Sequence, residues 1–262
     1  MLFLTTEPLW LTACILLVPT TLFAMLGPAI VRHYVPLERL RTNNEVAGFK
    51  FATVGVIYAV LLAFAVIVVW EKFNHAEENV AKEAGSAATI FRLSKGIDPE
   101  HGAAIRQATR AYLSAAIRDD WPAMEQGKAG AATTEAMGKI YDAVLKFHTL
   151  GADEGLVIAE ILRHVDNLSE ARRERLVAAS GTVPSIIWMV LFVGAFVTVA
   201  FTFFFGAANL HAQSLMSGAL ALLVFGGLMT IIVIDHPFAG SVKVSPEALA
   251  AVVEDLAAPA GH

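Results

Sequence analysis

The side chains best suited to chemistry are carboxylates and imidazoles that recur at helical spacing. Glu71, His75 and Glu78 are separated by four and three residues, and Glu160 and His164 by four. On a helix these spacings place side chains on one face, where a carboxylate and an imidazole could share a metal ion. The same spacings are typical of solvated surface pairs, and the paired Glu-x-x-His motifs of di-iron bundles do not occur. We therefore interpret both groups as surface pairs and keep a metal-dependent membrane enzyme using His75 and Glu71 as an alternative.

Other signatures of catalysis are missing from the sequence. It contains no Gly-x-Ser-x-Gly elbow, no phosphate-binding Gly-Lys-Ser/Thr loop and no dinucleotide-binding fingerprint. The single cysteine, Cys14, lies in an apolar stretch, which excludes an intramolecular disulfide and a multi-cysteine zinc or iron–sulfur site. A net charge of −5 without a basic stripe argues against nucleic-acid binding. The main prediction is thus a protein without catalytic residues, cofactor or bound metal.

The segments that must position these residues are of two kinds, one suited to a membrane and one suited to water. Of 262 residues, 56% are hydrophobic and 16% charged, and 31 of the 43 charges lie between Glu71 and Arg175. Charge-free stretches long enough to cross a bilayer as a helix, about 20 residues, flank this charged segment on both sides. We therefore predict an all-α integral membrane protein with four spans. The spans are Pro8–Val31, Phe51–Trp70, Pro184–Phe205 and Leu215–Ile234, with a polar break at 206–214 between the last two.

The spans divide the chain into four parts. Residues 1–70 hold the first two spans and their loop, 71–181 a helical domain, 182–235 the last two spans and 236–262 a C-terminal tail. An even number of spans puts both termini and the 71–181 domain on one side of the membrane. The positive-inside rule does not choose that side, because four basic residues in the first loop are matched by seven near the opposite span ends.

Helix signals continue into the charged domain. No proline interrupts residues 71–97, so we expect the second span to continue as one helix from Gly48 to about Ser94. Asp98 and Pro99 are a typical pair for an N-cap and a first helical turn. They predict a second helix, which runs to about Asp120 and ends at Trp121-Pro122.

One face of the second span carries mostly small apolar side chains. Two interpretations stay open: the stripe lines a pore with an apolar constriction, or it is a seam for helix packing. The sequence places no buried charge within the spans, which argues against a proton-coupled carrier. The stripe consists of Ala52, Val56, Ala59, Val60, Ala63 and Ile67.

Several segments resemble the bestrophin-like family of bacterial membrane proteins, which is distantly similar to bestrophin channels. The segments are Gly55-Val-Ile-Tyr-Ala-Val-Leu, Trp70-Glu-x-Phe, Arg172-Arg-Glu-Arg-Leu176, Pro184-Ser-Ile-Ile-Trp188 and Asp235-His-Pro-Phe-Ala-Gly240. Bestrophins are pentameric ion channels with four membrane helices per subunit, cytosolic termini and a large cytosolic helical region. The resemblance therefore implies a homopentameric channel of the bacterial inner membrane. Its partners would be the lipid bilayer, further copies of the chain and permeant inorganic ions.

The resemblance also implies roles for particular residues. The second span would line the pore, with Ala52, Val56 and Val60 at its hydrophobic neck. In bestrophins, acidic residues after the last span bind calcium. Ser241-Val-Lys-Val-Ser245 offers no carboxylate at that place, so we do not expect calcium binding. The motif that leaves the last span comprises Asp235, Pro237, Phe238 and Gly240.

Charges just beyond the second span would set the ion preference of such a channel. Rings of acidic residues would favour cations, but Lys72 and Lys82 are interleaved with them, so the preference stays open. The candidate vestibule charges are Glu71, Glu77, Glu78 and Glu83. The alternative function is a non-conducting membrane scaffold or stress-signalling protein that binds a partner through its helical domain.

Overall fold

A computed structural model describes residues 8–146, 152–181 and 183–257, and all regular structure within them is helical, as predicted. Short 3₁₀ turns follow the third and eighth helices at Ser94–Gly96 and Thr202–Phe204, and a π-helical turn spans Ala116–Asp120. The α-helices are α1 Leu9–Tyr34, α2 Leu37–Thr42, α3 Asn44–Leu93, α4 Pro99–Ala115, α5 Trp121–Met124, α6 Ala131–Leu145, α7 Ala152–Ala178, α8 Ser185–Phe201, α9 Leu210–Ile234 and α10 Glu247–Ala257.

The chain forms two compact units. The first contains Met1–Glu71 and Thr182–Asp235, and the second contains Lys72–Gly181 and His236–His262. Helix α3 belongs to both, since it continues without a break from Asn44 to Leu93. This agrees with the predicted helix from Gly48 to about Ser94.

The first unit holds four helices that are long and apolar enough to cross a membrane, which confirms the predicted number of spans among the described residues. They are α1, the apolar part of α3, α8 and α9, with mean hydropathies between 2.1 and 2.7. Within this unit α1 packs along α9, and a Cβ added at Gly218 would lie 2.6 Å from Cγ of Met25. The small residue therefore allows the two helices to approach closely.

The polar break before the last span is shorter than predicted. Helix α9 begins at Leu210 rather than at Leu215, because the side chain of Asn209 caps it. Asn209 Oδ1 accepts a hydrogen bond from the backbone N–H of Ala212 at 3.2 Å. The cap brings His211 and Gln213, which we expected in the loop, into the first turns of the helix.

The second unit contains the distal part of α3 together with α4–α7 and α10. The predicted cap of α4 is confirmed: Asp98 Oδ2 accepts hydrogen bonds from the N–H groups of Glu100 and His101 at 3.1 and 3.2 Å. The predicted end of this helix at Trp121-Pro122 is wrong. Helix α4 ends at Ala115, and Pro122 lies in the first turn of α5, where a proline is tolerated.

The C-terminal segment contains a helix that the sequence analysis did not predict. Helix α10 places Leu249 and Leu256, seven residues apart, on its buried face. Arg110 of α4 donates a hydrogen bond to the carbonyl of Leu256. The described part of the segment, up to Ala257, therefore packs as part of the second unit rather than as a free tail.

Candidate functional site

The six-residue stripe of α3 is uncovered in the protomer. Among its larger members, Val56, Val60 and Ile67 are 63%, 48% and 51% exposed, and Ala52, Ala59 and Ala63 are also exposed. On the other side of the helix, Tyr58 and Val69 are 5% and 1% exposed. Helix α3 thus has one face packed within its own chain, and the stripe is not on that face.

Two glycines on neighbouring helices leave space for the packed face of α3. A Cβ added at Gly194 of α8 would lie 2.6 Å from the ring of Tyr58, and one added at Gly227 of α9 would lie 2.8 Å from Cδ2 of Leu62. Both distances are shorter than a carbon contact allows, so a larger residue would require the Tyr58 ring or the Leu62 side chain to move. The glycines therefore accommodate the packed face of α3, and the exposed stripe lies on a different face. The stripe is therefore not a packing seam between helices of one protomer.

A second face of α3 is also exposed, and the sequence analysis did not single it out. Ile57, Leu61, Phe64 and Val68 are 43% to 64% exposed. Three of them, Leu61, Phe64 and Val68, line an apolar cavity of about 300 Å³ with residues of α8 such as Ile187. The apolar part of α3 has the highest hydropathy of the four spans, yet only 11% of it is buried.

Beyond Trp70, the candidate vestibule charges differ in their surroundings. Glu71, Glu77 and Glu78 are exposed. His75 Nδ1 lies 3.3 Å from Glu78 Oε2 in an exposed pair, which matches the interpretation as a solvated surface pair. Across the described residues, no group of three or more histidine, cysteine, aspartate or glutamate side chains is arranged to hold a metal ion.

Glu83 does not fit the role predicted for it. Its side chain is fully buried, and its carboxylate accepts hydrogen bonds from Arg175 Nε at 2.6 Å and Nη2 at 3.0 Å. The Tyr112 hydroxyl donates a further hydrogen bond to Oε1. A charge that is neutralised inside the protein cannot contribute to a solvated ring, so the prediction of Glu83 as a vestibule charge is wrong.

Glu83 belongs to a buried ionic cluster of two carboxylates and two guanidinium groups. Arg175 Nη2 also donates to Asp120 Oδ2 at 2.9 Å, and Arg172 donates to both Asp120 oxygens at 2.8 and 3.1 Å. The guanidinium of Arg175 lies 4.6 Å from the ring of Trp121. Two negative and two positive charges balance, and each carboxylate oxygen has at least one donor. This is the arrangement in which buried charges are tolerated.

Ionisation in this ionic cluster follows from burial and pairing. Burial opposes the charged form of Asp120, but the hydrogen bond from Arg172 and the charge of Arg175 outweigh it and lower the pKa of the carboxyl. Burial and the neighbouring Glu83 raise the pKa of the Tyr112 hydroxyl well above its usual value. Tyr112 therefore stays protonated and keeps donating to Glu83.

The motif that follows the last span forms a turn with buried side chains. Asp235 is buried, and its Oδ1 accepts a hydrogen bond from the N–H of Val183 at 2.9 Å. Phe238 is fully buried, with its ring 5.9 Å from that of Trp121. Pro237 accepts a hydrogen bond from the N–H of Val244 at 2.7 Å, and Gly240 has a φ of +87°, which favours glycine. Backbone hydrogen bonds and the buried ring of Phe238 therefore hold this motif in a fixed turn.

The ionic cluster was missed because its partners are distant in sequence, although one signal was present. Ile161, Val165 and Leu168 of α7 are fully buried at helical spacing, and Arg172 and Arg175 continue the same face. An arginine on the apolar face of a helix must be paired inside the protein. The sequence could therefore indicate buried arginines, but not their carboxylate partners.

This four-span architecture corresponds to a known domain. Residues 18–249 match the Bestrophin-like domain, which is most of the chain, and the protein therefore belongs to this family. Two crystal structures of a bacterial bestrophin homologue from Klebsiella pneumoniae, each carrying a single mutation, have TM-scores of 0.71 and identities of 12% and 13%. The alignments cover 92% of this chain and 98% and 97% of those chains. No curated protein matches the sequence. The predicted family and fold are confirmed.

Proposed function

We propose that the protein is a homopentameric ion channel of the bacterial inner membrane, with the apolar part of α3 lining the pore. The observation that carries this proposal is the exposure of the stripe on the most hydrophobic of the four spans. Membership in the Bestrophin-like family and the fold shared with bacterial bestrophin homologues support it. The alternative is a non-conducting membrane scaffold or stress-signalling protein that binds a partner through its helical domain, in which the stripe of α3 would serve only for helix packing.

Geometry within the protomer supports the pore role of α3. A helix at the centre of a ring must contact its own subunit on one face and leave adjoining faces for neighbouring copies and the axis. Helix α3 does this: Tyr58 marks the packed face, Phe64 lies on one exposed face and Val56 on another. Five copies of Val56 and Val60 would form an apolar constriction that gates by dewetting.

The charges beyond the pore favour a weak preference for cations. Three exposed carboxylates, Glu71, Glu77 and Glu78, are accompanied by two exposed ammonium groups, Lys72 and Lys82, which leaves one negative charge per subunit. Repetition around a ring multiplies this excess, while salt screens it. Glu83 does not add to this excess, because its charge is paired inside the protein.

Orientation follows from the family resemblance as part of the same proposal. Both termini and the second unit would lie in the cytosol, and the turn containing Asp235, Pro237, Phe238 and Gly240 would anchor the last span at the cytosolic surface. The charge-free spans and the buried turn are compatible with this arrangement.

Reconstitution of the full chain into planar bilayers tests the proposal. The wild type should give unitary currents, and Val56→Trp, which fills the constriction from every subunit, should reduce the unitary conductance at least severalfold. Leu223→Trp is the matched control, because Leu223 is 75% exposed and lies on α9 away from the stripe. Absence of current under every ionic gradient, or equal conductance of the two variants, would overturn the pore.

A further inference from the structure

A second cavity lies in the first unit, at the end of the spans where α3 and α9 begin. It has a volume of about 480 Å³ and is lined by polar and aromatic groups as well as aliphatic ones. Phe51, one of its lining residues, follows Lys50 and opens the charge-free stretch of α3. The cavity is therefore at the depth where apolar spans meet lipid headgroups.

Gln213 lines this cavity and carries a buried hydrogen-bond acceptor that has no partner among the described residues. The residue is 4% exposed and lines the cavity. Its Nε2 donates to the carbonyls of Phe205 at 2.6 Å and Thr202 at 3.4 Å, and a flipped amide would turn an oxygen toward both carbonyls. The amide orientation is therefore fixed, and Oε1 is buried with no hydrogen-bond partner in the described protein. A buried acceptor of this kind calls for a donor.

Ser217 provides a second acceptor in the cavity. Thr202 Oγ1 uses its proton on the carbonyl of Val199 at 2.6 Å, so in its 3.0 Å contact with Ser217 the serine must be the donor. This leaves the lone pairs of Ser217 Oγ as acceptors. The amide of Asn44 is engaged with the backbone of Gly206 through both its oxygen and its nitrogen. Gln213 and Ser217 therefore each offer an acceptor, and none of the residues that line the cavity is charged.

Aromatic rings add a second preference. Phe51 and Phe205 both line the cavity, with ring centroids 5.7 Å apart and planes at 84°. Aromatic faces attract cations, and a site without carboxylates can use them in place of a counter-charge. Met216 and Leu220 form the aliphatic part of the wall.

We propose that this cavity binds a primary ammonium group on a short aliphatic chain. The N–H groups donate to Gln213 Oε1 and Ser217 Oγ, the charge lies against Phe51 and Phe205, and the aliphatic portion lies along Leu220. Two sources share this chemistry: the ethanolamine headgroup of a membrane lipid and a free small amine. The site does not depend on whether the protein conducts ions or forms a pentamer.

Native mass spectrometry of the full chain in detergent tests the site with short-chain phosphatidylethanolamine and phosphatidylcholine. Both lipids are zwitterionic, but the choline nitrogen has no N–H to donate. The wild type should bind phosphatidylethanolamine about tenfold more tightly, which is the effect of about one charge-assisted hydrogen bond. Equal binding of the two lipids by the wild type would overturn the proposal.

Two cavity variants and one control locate the preference. Gln213→Leu removes the acceptor and Leu220→Trp fills the cavity without touching the amide, and both should bind the two lipids equally. Leu223→Trp, on the exposed face of the same helix, should keep the wild-type preference. If Gln213→Leu does not fold, Leu220→Trp decides. A preference that persists in Leu220→Trp would place the selectivity elsewhere and contradict the proposal.

Free ethanolamine distinguishes the two sources. Displacement of phosphatidylethanolamine by free ethanolamine in the wild type would identify the ammonium group alone as sufficient. Failure to displace it, with the lipid preference intact, would assign the site to the headgroup of a lipid. Both outcomes uphold an ammonium site, provided that Leu220→Trp abolishes the preference.

Discussion

The two halves of α3 differ in which side chains they expose and which they bury. The half that ends at Glu71 leaves apolar side chains such as Val56 and Phe64 uncovered. The half that begins at Lys72 covers even a charged one, since Glu83 is fully buried against Arg175. One continuous helix thus has an exposed apolar surface in the first unit and a buried surface with paired charges in the second.

The surroundings explain this difference. Within the membrane, an apolar side chain that its own protomer leaves uncovered can contact other copies of the chain or lipid acyl chains, both of which are as apolar as a protein core. In water, the second half of α3 must bury its apolar face. A carboxylate buried with that face is tolerated only when each of its oxygens accepts a hydrogen bond. Substitutions in the first half should therefore change assembly or conduction, and those in the ionic cluster should change folding.

Breaking the ionic cluster should have the largest effect on stability. Arg175→Ala leaves Glu83 buried without a guanidinium partner and Asp120 with Arg172 alone, which should destabilise the second unit by about 3–5 kcal/mol. Thermal unfolding followed by circular dichroism measures the loss. Arg163→Ala is the control, since Arg163 lies on the same helix and pairs with Glu160 at the surface. Similar Tm values for the two variants would show that the cluster does not stabilise the unit.

Acid should weaken the same unit through Asp120. Its pKa in the folded protein is below the ordinary value of 3.8, so its stabilising contribution is complete above about pH 5 and is lost as the pH falls through the folded pKa. Asp120→Asn should be less stable at pH 7 and should lose less Tm than wild type between pH 5 and pH 3. Equal losses over this interval would contradict a lowered pKa.

A polar residue in the neck should change conduction without changing stability. Val56→Ser would hydrate an apolar constriction and should raise the open probability about severalfold, because dewetting becomes less favourable. Its Tm should stay within about 1 °C of wild type, since the side chain is uncovered in the protomer. Leu223→Ser is the control and should leave the currents unchanged. A large fall in Tm would instead place Val56 in a packed core.

The surface pair should have the smallest effect. Glu78→Gln removes the partner of His75, and exposed pairs of this kind contribute at most about 0.5 kcal/mol. Chemical denaturation of the second unit should therefore be unchanged within error, and the metal content measured by mass spectrometry should be the same in both proteins. The enzyme alternative uses His75 and Glu71, so a stoichiometric metal in the wild type that is lost in His75→Ala would revive it.

Local patterns in the sequence predicted the features that depend on neighbouring residues. The charge-free runs predicted four spans because a bilayer excludes charge over a fixed length. Asp98 with Pro99 predicted the start of α4 because a cap involves residues only two or three positions apart. The buried ends of Glu83 and Gln213 could not be predicted in this way. The partner of Glu83 is 92 residues away, and the cavity at Gln213 is formed by α3, α9 and the segment that follows α8.

Chemical modification of a cysteine in the stripe tests the pore most directly. The natural cysteine, Cys14, is first changed to serine, and Val56→Cys is then introduced and exposed to a charged, membrane-impermeant methanethiosulfonate during bilayer recording. A pore-lining position predicts block of the current within seconds of exposure, while Leu223→Cys in the same background stays unmodified in function. A Val56→Cys current that continues unchanged, in protein shown by mass spectrometry to be modified, would contradict the assignment of α3 as the pore helix.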